Sequence, residues 1–522
     1  MGGHTVDVTP DSEKARAARD RRSWRVPAVF VAVVVIAGGL VAWRATTRGS
    51  SALPAGWVVA ENQRPGTSAW RIATGSYGGV EGYANRVSAQ DGDTITLYAS
   101  TSAPVFHVEA YRMGWYQGLG GRLVWRSSDV PAKAQAAPTI AAVTRTVKTK
   151  WNPSTHIHIS KDWVPGDYLL KLVARNGQSY VPLTVRNDAS HSPVLVMNAV
   201  TTWQAYNDWG GYSLYFGPNA NAKQRSTVVS FDRPYDWAIQ PAIAPSNYVV
   251  CCGFLATELG VVTEVEHLGL DVSYTTDVDV QEHPAQLLRH KVLVSAGHDE
   301  YWSVAKRDAV EKARDHGLNL MFLGPNAVYW RIRLESSPLG KDRLEVNYRI
   351  AQDDPLYGKD DAQVTALWRS PPPQPRPEST LTGLMYFCFG EDNDGVITDA
   401  SSWVFAGTGL KDGDHIPRLI QREADHVDKK YPTPSNIEIL LHSPVACLGI
   451  DGKPVPGFFS DSTYYTAPSG AGVFASGSEW DCRLYDGCPA GPRGADRVVQ
   501  RITENVLRTF AAGPAGRTHP SR

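Results

Sequence analysis

Charge of one sign is what this 522-residue chain lacks: 52 Lys and Arg stand against 53 Asp and Glu, a formal net charge of −1. Proteins that grip nucleic acid through its phosphates carry a basic excess, so the balance argues against a nucleic-acid partner. Cysteine is scarce, six in all, and forms no CxxC pair or Cys/His ladder, which argues against a structural zinc site. Also missing are a Walker A loop, HExxH, a GxGxxG opening a helix after a strand, and the GxSxG or GxCxG of a nucleophile elbow. These gaps weigh against nucleotide-dependent chemistry and against a Ser or Cys nucleophile on a strand-to-helix turn. Disorder is excluded by the opposite count, 42% hydrophobic and 10% aromatic residues. At roughly 100–200 residues per domain, the length suggests two or three domains.

One apolar run interrupts the even texture. Residues 26–43 read VPAVFVAVVVIAGGLVAW, close to the roughly 20 residues that span a bilayer. Six basic residues precede it (Lys14, Arg16, Arg19, Arg21, Arg22, Arg25) and two follow closely (Arg44, Arg48). The asymmetry predicts a cytoplasmic tail (1–25), a single transmembrane helix (26–43) and an extracytoplasmic remainder, tethered to the cell membrane; a cleaved signal peptide is the competing reading. An oxidising compartment makes disulfides possible: Cys482 with Cys488, Cys388 with Cys447, and a strained bridge between the adjacent Cys251 and Cys252.

Beyond a Gly/Ser/Pro linker (44–56), the stretch 57–188 alternates β-branched and aromatic runs such as TITLYAST and VFHVEAYRM with turn residues. This predicts a β-sandwich of immunoglobulin-like type. The aromatic, Gly-rich YRMGWYQGLGGR (111–122) reads as a packed loop. From 190 to 512 apolar strands (PVLVMNAV, DVSYTTD, KVLVSAG, LNLMFLG) alternate with helical stretches, predicting an α/β domain with a doubly wound, amidotransferase-like sheet. Further strands are expected at LTGLMYFC, SSWVFAG, NIEILLH and GAGVFASGS, a last amphipathic helix at 495–511, and a disordered tail at 513–522.

In open α/β sheets ligands bind outside the carboxyl ends of the strands. Four loops occupy that place: TTWQAYNDWGGYSLY (201–215), the Thr276/Asp277/Asp279 segment, GHDEYW (297–302) and GPNAVYWR (324–331). They are rich in tyrosine, tryptophan, histidine and acid, where plain surface connectors favour Lys, Ser and Gly. His298 and Glu300 are the candidate proton shuttles, with Asp277 and Asn326 beside them as further catalytic candidates. The alternative role for Asp299 or Glu300 is to cap the following helix.

The ordered succession TTWQAYNDWGG, SYTTDVD, SAGHDEYWS and FLGPNAVYWR resembles the C-terminal α/β domain of the N,N-dimethylformamidase large (β) subunit family. The similarity covers roughly 190–512, and the upstream β-module is similar to one found with this domain. The resemblance implies hydrolysis of an N-substituted formamide at a mononuclear ferric iron held by two tyrosinates and one carboxylate, hard oxygen ligands suited to Fe(III). It implies Tyr301 as one tyrosine ligand, Tyr206 or Tyr274 as the other, and Glu378 as the carboxylate, with Asp360 and Asp361 as competitors. Here HDEY replaces the family's HPEY, and GPNAVYW its GGNGFYW. The resulting expectation is a membrane-anchored extracytoplasmic hydrolase of amide or related C–N bonds, acting on a small-molecule or cell-envelope substrate. The competing one is a non-catalytic envelope module that binds glycan or protein on Trp203, Trp209, Tyr212, Trp302 and Trp330.

Overall fold

The structure, a computed structural model, describes residues 53–73, 75–237, 252–449, 452–486 and 495–522. The expected span 26–43, the tail before it and most of the linker lie outside the described residues, as do Cys251 and Cys488. No helix among the described residues is long and apolar enough to cross a membrane.

The chain is mixed α/β, built around a seven-stranded sheet. Its strands are β1 (Val194–Asn198), β2 (Val272–Thr276), β3 (Val292–Ser295), β4 (Asn319–Phe322), β5 (Glu438–Leu448), β6 (Pro454–Thr466) and β7 (Gly472–Ala475). They lie in the order β2-β1-β3-β4-β7-β6-β5. The first five are parallel, and β6 runs antiparallel between β7 and β5. The apolar runs read in the sequence are continuous because both faces are covered. Val194, Val196, Val292, Val294 and Met321 face one side; Leu195, Met197, Leu293, Leu320 and Phe322 face the other. Successive strand side chains point oppositely, so a strand buried on both faces needs apolar residues at every position.

Helices cover each face. On the first lie α2 (Leu259–His267), through Val261, Val262 and Val265, and the C-terminal α5 (Arg497–Ala512). The α5 stripe Val499, Ile502, Val506, Leu507, Phe510 repeats at helical spacing and is buried throughout, and Asp496 caps its first turn by accepting from the Val498 amide at 2.9 Å. On the second face lie α3 (Asp277–Glu282) and α4 (Val304–Arg314), through Val280, Val310 and Ala313. Helix α1 (Val200–Tyr206) leaves the end of β1 directly.

Upstream, two antiparallel-based sheets share one core. Val80, Ile95 and Leu97 of the smaller sheet meet Val108, Ala110, Leu170, Leu172 and Val181 of the larger. The odd positions of the same larger-sheet strands, Tyr111, Met113 and Leu169, turn the other way and join the core of the α/β sheet. Arg112 and Glu266, both fully buried, pair across the junction at 2.5 Å. The sandwich is therefore a layer of one compact unit that holds all the described residues.

Several local expectations change. SSWVFAG is no strand: Ser402 caps a single 3-10 turn, Trp403–Phe405. The tail 513–522 packs on the body: His519 stacks on Trp403 at 4.7 Å, and the Ser521 hydroxyl oxygen accepts from the Thr466 amide at 2.8 Å. The expected pairing of Cys388 with Cys447 is present as a disulfide, and Cys252 and Cys482 are each disulfide-bonded as well.

Candidate active site

Glycine sets how closely the strand-end loops approach. Gly297 leaves β3 at φ +89°, and a Cβ there would fall 2.1 Å from the Thr257 carbonyl oxygen. A Cβ on Gly324, after β4, would fall 2.2 Å from the Gly297 carbonyl oxygen. Only glycine permits both contacts. The following residues then pair: Tyr301–Ser303 runs parallel to Trp330–Ser337, and Tyr329 and Trp330 amides donate to the Glu300 carbonyl at 3.1 and 2.9 Å.

Three oxygen-bearing side chains converge above this junction. Tyr206, at the end of α1, donates to Glu300 at 2.8 Å. Tyr215, nine residues on, donates to the Glu300 carboxylate, both oxygens of which lie 2.7 Å away, and its hydroxyl oxygen stands 2.7 Å from that of Tyr206. The two phenol rings stack 4.2 Å apart. Burial raises both hydroxyls well above the usual phenol range, and the neighbouring Glu300 charge raises them further. Glu300 is raised too, by burial first, against the lowering effect of His298. Protons thus satisfy the three groups; ionising all of them in this buried place requires a multiply charged cation. Among the described residues no group of three or more His, Cys, Asp and Glu is placed to hold a metal ion.

His298 stands beside them, its ring 5.8 Å from that of Tyr206 and its Nε2 2.8 Å from Glu423. Burial works against the charged ring, but the carboxylates around it, Glu423 foremost and then Glu300 and Glu479, together outweigh it and lift the imidazole to about 10. His298 is thus an imidazolium at neutral pH, with Nδ1 buried and without a partner among the described residues. Asn326 sits on the loop after β4 at φ +58°, its carboxamide oxygen likewise buried and unpartnered. Two residues on, Val328 is held at φ +63°. Left-handed backbone in a β-branched residue costs of order 1–3 kcal/mol, so the surroundings must impose this turn.

The other candidates land elsewhere. Tyr301 is wholly buried; its hydroxyl accepts from Arg349 at 3.2 Å and its ring centroid is 6.4 Å from those of Tyr206 and Tyr215. Successive residues of an extended segment face opposite ways, so Tyr301 turns from the Glu300 carboxylate and meets Tyr215 instead. Glu378 is gripped by Arg369 at 2.5 and 3.0 Å and meets neither phenol. Tyr274 donates to Glu266 at 2.7 Å on the sandwich side of the sheet. Asp277 lies in the interior, bonded to the Thr201 hydroxyl and 3.7 Å from Lys306, which also holds Asp299 at 2.7 Å. Burial, opposed by Lys306, brings Asp277 to about 6. Its contacts brace the start of α3 against α1 and α4. Trp203 and Trp302, 3% and 0% exposed, offer no face to a glycan.

Sequence reasoning passed over Tyr215, Arg349, Glu423 and Asp425. Tyr215 closes the 201–215 loop, where no spacing distinguishes it from the other aromatic residues. Glu423 and Asp425 come from the long insertion between β4 and β5, and no spacing relates them to His298 or Asn326.

Comparisons with known proteins bear on the family. The family described as "N,N-dimethylformamidase beta subunit-like, C-terminal" matches residues 107–490, which takes in part of the sandwich as well as the sheet. The N,N-dimethylformamidase beta subunits of an Alcaligenes species and of Paracoccus aminophilus are each 25% identical over 300 residues, 49% of this chain and 37% of their own length. The match thus spans little more than a third of those relatives. A solved structure of an uncharacterized protein from Bacillus anthracis str. Ames covers 26% of this chain and 96% of its own at 14% identity, with a TM-score of 0.13 that carries no argument. By the extent of the family match, the chain belongs to the N,N-dimethylformamidase beta subunit-like family.

Proposed function

We propose that this chain hydrolyses an amide or related C–N bond at the site formed by Tyr206, Tyr215, Glu300, His298 and Asn326. One observation carries the reading: two tyrosine hydroxyls and one carboxylate, all hard oxygen donors, meet within 2.8 Å among buried side chains. That donor set fits a ferric ion, whose charge of three balances two phenolates and one carboxylate. Bound there, the metal supplies Lewis acidity toward a carbonyl and a more acidic water. It is Tyr206, Tyr215 and Glu300, rather than Tyr301 and Glu378, that would hold it.

The chain's own groups supply the rest. Asn326 offers its unpartnered carboxamide to the substrate amide. His298, kept charged by Glu423, presents Nδ1–H to the departing nitrogen. Water adds to the carbonyl carbon, the C–N bond breaks, and the nitrogen leaves as an amine with the proton it gains. Arg349, 4.2 Å over the Tyr215 ring and bonded to Tyr301, fixes the phenol face.

The finer architecture we read as an amidotransferase-like sheet preceded by an immunoglobulin-like sandwich, with the site at the point where strand order reverses between β1 and its two neighbours. An extracytoplasmic location is supported by the Cys388–Cys447 disulfide, and membrane tethering by the apolar run 26–43.

Elemental analysis of the purified chain, coupled to a formamide and acetamide hydrolysis assay, tests the reading. Near-stoichiometric iron with a visible tyrosinate-to-iron absorption is expected, and Glu300→Gln should abolish the absorption and lower turnover at least 100-fold. Protein that hydrolyses amides with no bound metal, or with the Gln variant fully active, removes the metal-assisted mechanism.

A further inference from the structure

The turn that carries Asn326 is held from outside its own loop. Within the loop region, the Val328 amide donates to the Asp299 carbonyl at 3.1 Å, and the Tyr329 and Trp330 amides to that of Glu300. The Asn326 amide has no carbonyl to meet. Its N–H is shared instead between the two side-chain oxygens of Asp425, at 3.0 and 2.9 Å.

Asp425 is 5% exposed and lies on the short strand Glu423–His426, two residues from the Glu423 that pairs with His298. Its own amide is tied to the Gly477 carbonyl at 3.1 Å, just past the end of β7. Among the described residues no ion pair reaches it: Arg369, whose charge favours the ionised form, is engaged by Glu378. A buried carboxyl without an ion pair is expensive, and burial raises Asp425 well above the usual carboxylate range. An apolar residue would suit a purely packing role better. What the carboxyl provides here is an acceptor for one N–H, at the point where the backbone enters a left-handed conformation at a non-glycine residue.

We propose that Asp425 is a positioning residue of the site: by accepting the Asn326 N–H it holds the 324–330 loop in the turn that presents the Asn326 carboxamide. The strand 423–426 thereby fixes two strand-end loops at once, His298 through Glu423 and Asn326 through Asp425. The catalytic consequence rests on the amidase reading; the structural coupling does not.

The test uses the full chain with Asp425→Ala, Asp425→Ser and Asp425→Asn, following amide hydrogen exchange across 326–330 and steady-state kinetics on an amide substrate. In the Ala variant, exchange at the Asn326 amide should rise at least tenfold. Its kcat should fall 10- to 100-fold with KM changed less than threefold. Asp425→Asn keeps an acceptor oxygen and should return both exchange and kcat to within threefold of the parent; Asp425→Ser, too short to reach, should behave as Ala and serves if the Ala variant does not fold. Unchanged exchange in Ala or Ser overturns the proposal, as does an Asn variant that exchanges like the parent yet stays as slow as Ala. If the parent chain hydrolyses no amide, the exchange arms still decide the role of Asp425, so that failure is separate from failure of the amidase reading.

Discussion

At the scale of single residues, the chemistry is governed by what each buried polar atom finds. Tyr206, Tyr215 and Glu300 satisfy one another, whereas the buried ends of His298 and Asn326 are left open. Unpaired buried polar atoms cost about 1–3 kcal/mol each, a cost that a bound group meeting them would remove. Asn326→Gly makes this measurable. Glycine accepts φ +58° without strain, so thermal unfolding should show a stability unchanged or raised by about 1 kcal/mol while kcat/KM drops at least tenfold. Asp167 gives a second case, away from the site. It is fully buried, accepts from Asn198 and from Thr184 at 3.0 Å, and burial, outweighing those bonds, lifts it to about 7. The raised value means the folded state holds a proton that the unfolded state, with an Asp value near 3.8, has released. The favourable contribution is complete below about 3.8 and disappears as pH rises through about 7. Asp167→Asn cannot titrate, so urea unfolding should find it gaining on the parent by about 3 kcal/mol between pH 5 and pH 8. A constant difference across that range would remove Asp167 from the pH dependence.

At the scale of elements, helix α5 and the insertion between β4 and β5 divide the labour. The α5 stripe carries no site residue and only closes the core, so Ile502→Ala should cost 2–5 kcal/mol, about what burying such a side chain and emptying its space imply, with turnover at saturating substrate unchanged below the new unfolding temperature. The short strand Glu423–His426 does the reverse: it contributes little apolar area yet contacts both loops that carry the reacting groups. Glu423→Gln should therefore lower kcat at least tenfold and shift the pH profile, because His298 loses the charge that keeps it an imidazolium, while unfolding temperature moves little. Helix periodicity made α5 readable in advance, and buried apolar runs did the same for β1 to β4. No comparable pattern announces 423–426, whose importance comes from where a long insertion returns.

At the scale of the whole molecule, the sandwich and the sheet share apolar and ionic contacts and behave as layers of one body. Unfolding should accordingly be a single cooperative transition, and separated sandwich and sheet fragments should each be poorly soluble, exposing Tyr111, Met113 and Leu169 or Val261 and Val265. The Cys388–Cys447 bridge closes 59 residues of the insertion. Replacing both cysteines with serine should lower stability by about 2–4 kcal/mol, read as a fall in Tm that reductant reproduces in the parent. An unchanged Tm in both would show the insertion to be held by its packing alone.

Sequence alone determined the alternation of strand and helix, the sandwich before it, the family, and the loops GHDEYW and GPNAVYWR as the place to look, since local periodicity and glycine spacing are properties of neighbouring residues. It also put Tyr206 and Glu300 among the candidates. Only the tertiary structure decided that Tyr215 rather than Tyr301 faces Glu300, that Glu378 belongs to Arg369, and that Asp277 is interior. Those choices depend on which way a side chain turns from a short strand and on which distant segment arrives beside it. Both are settled by close packing among residues tens to hundreds of positions apart.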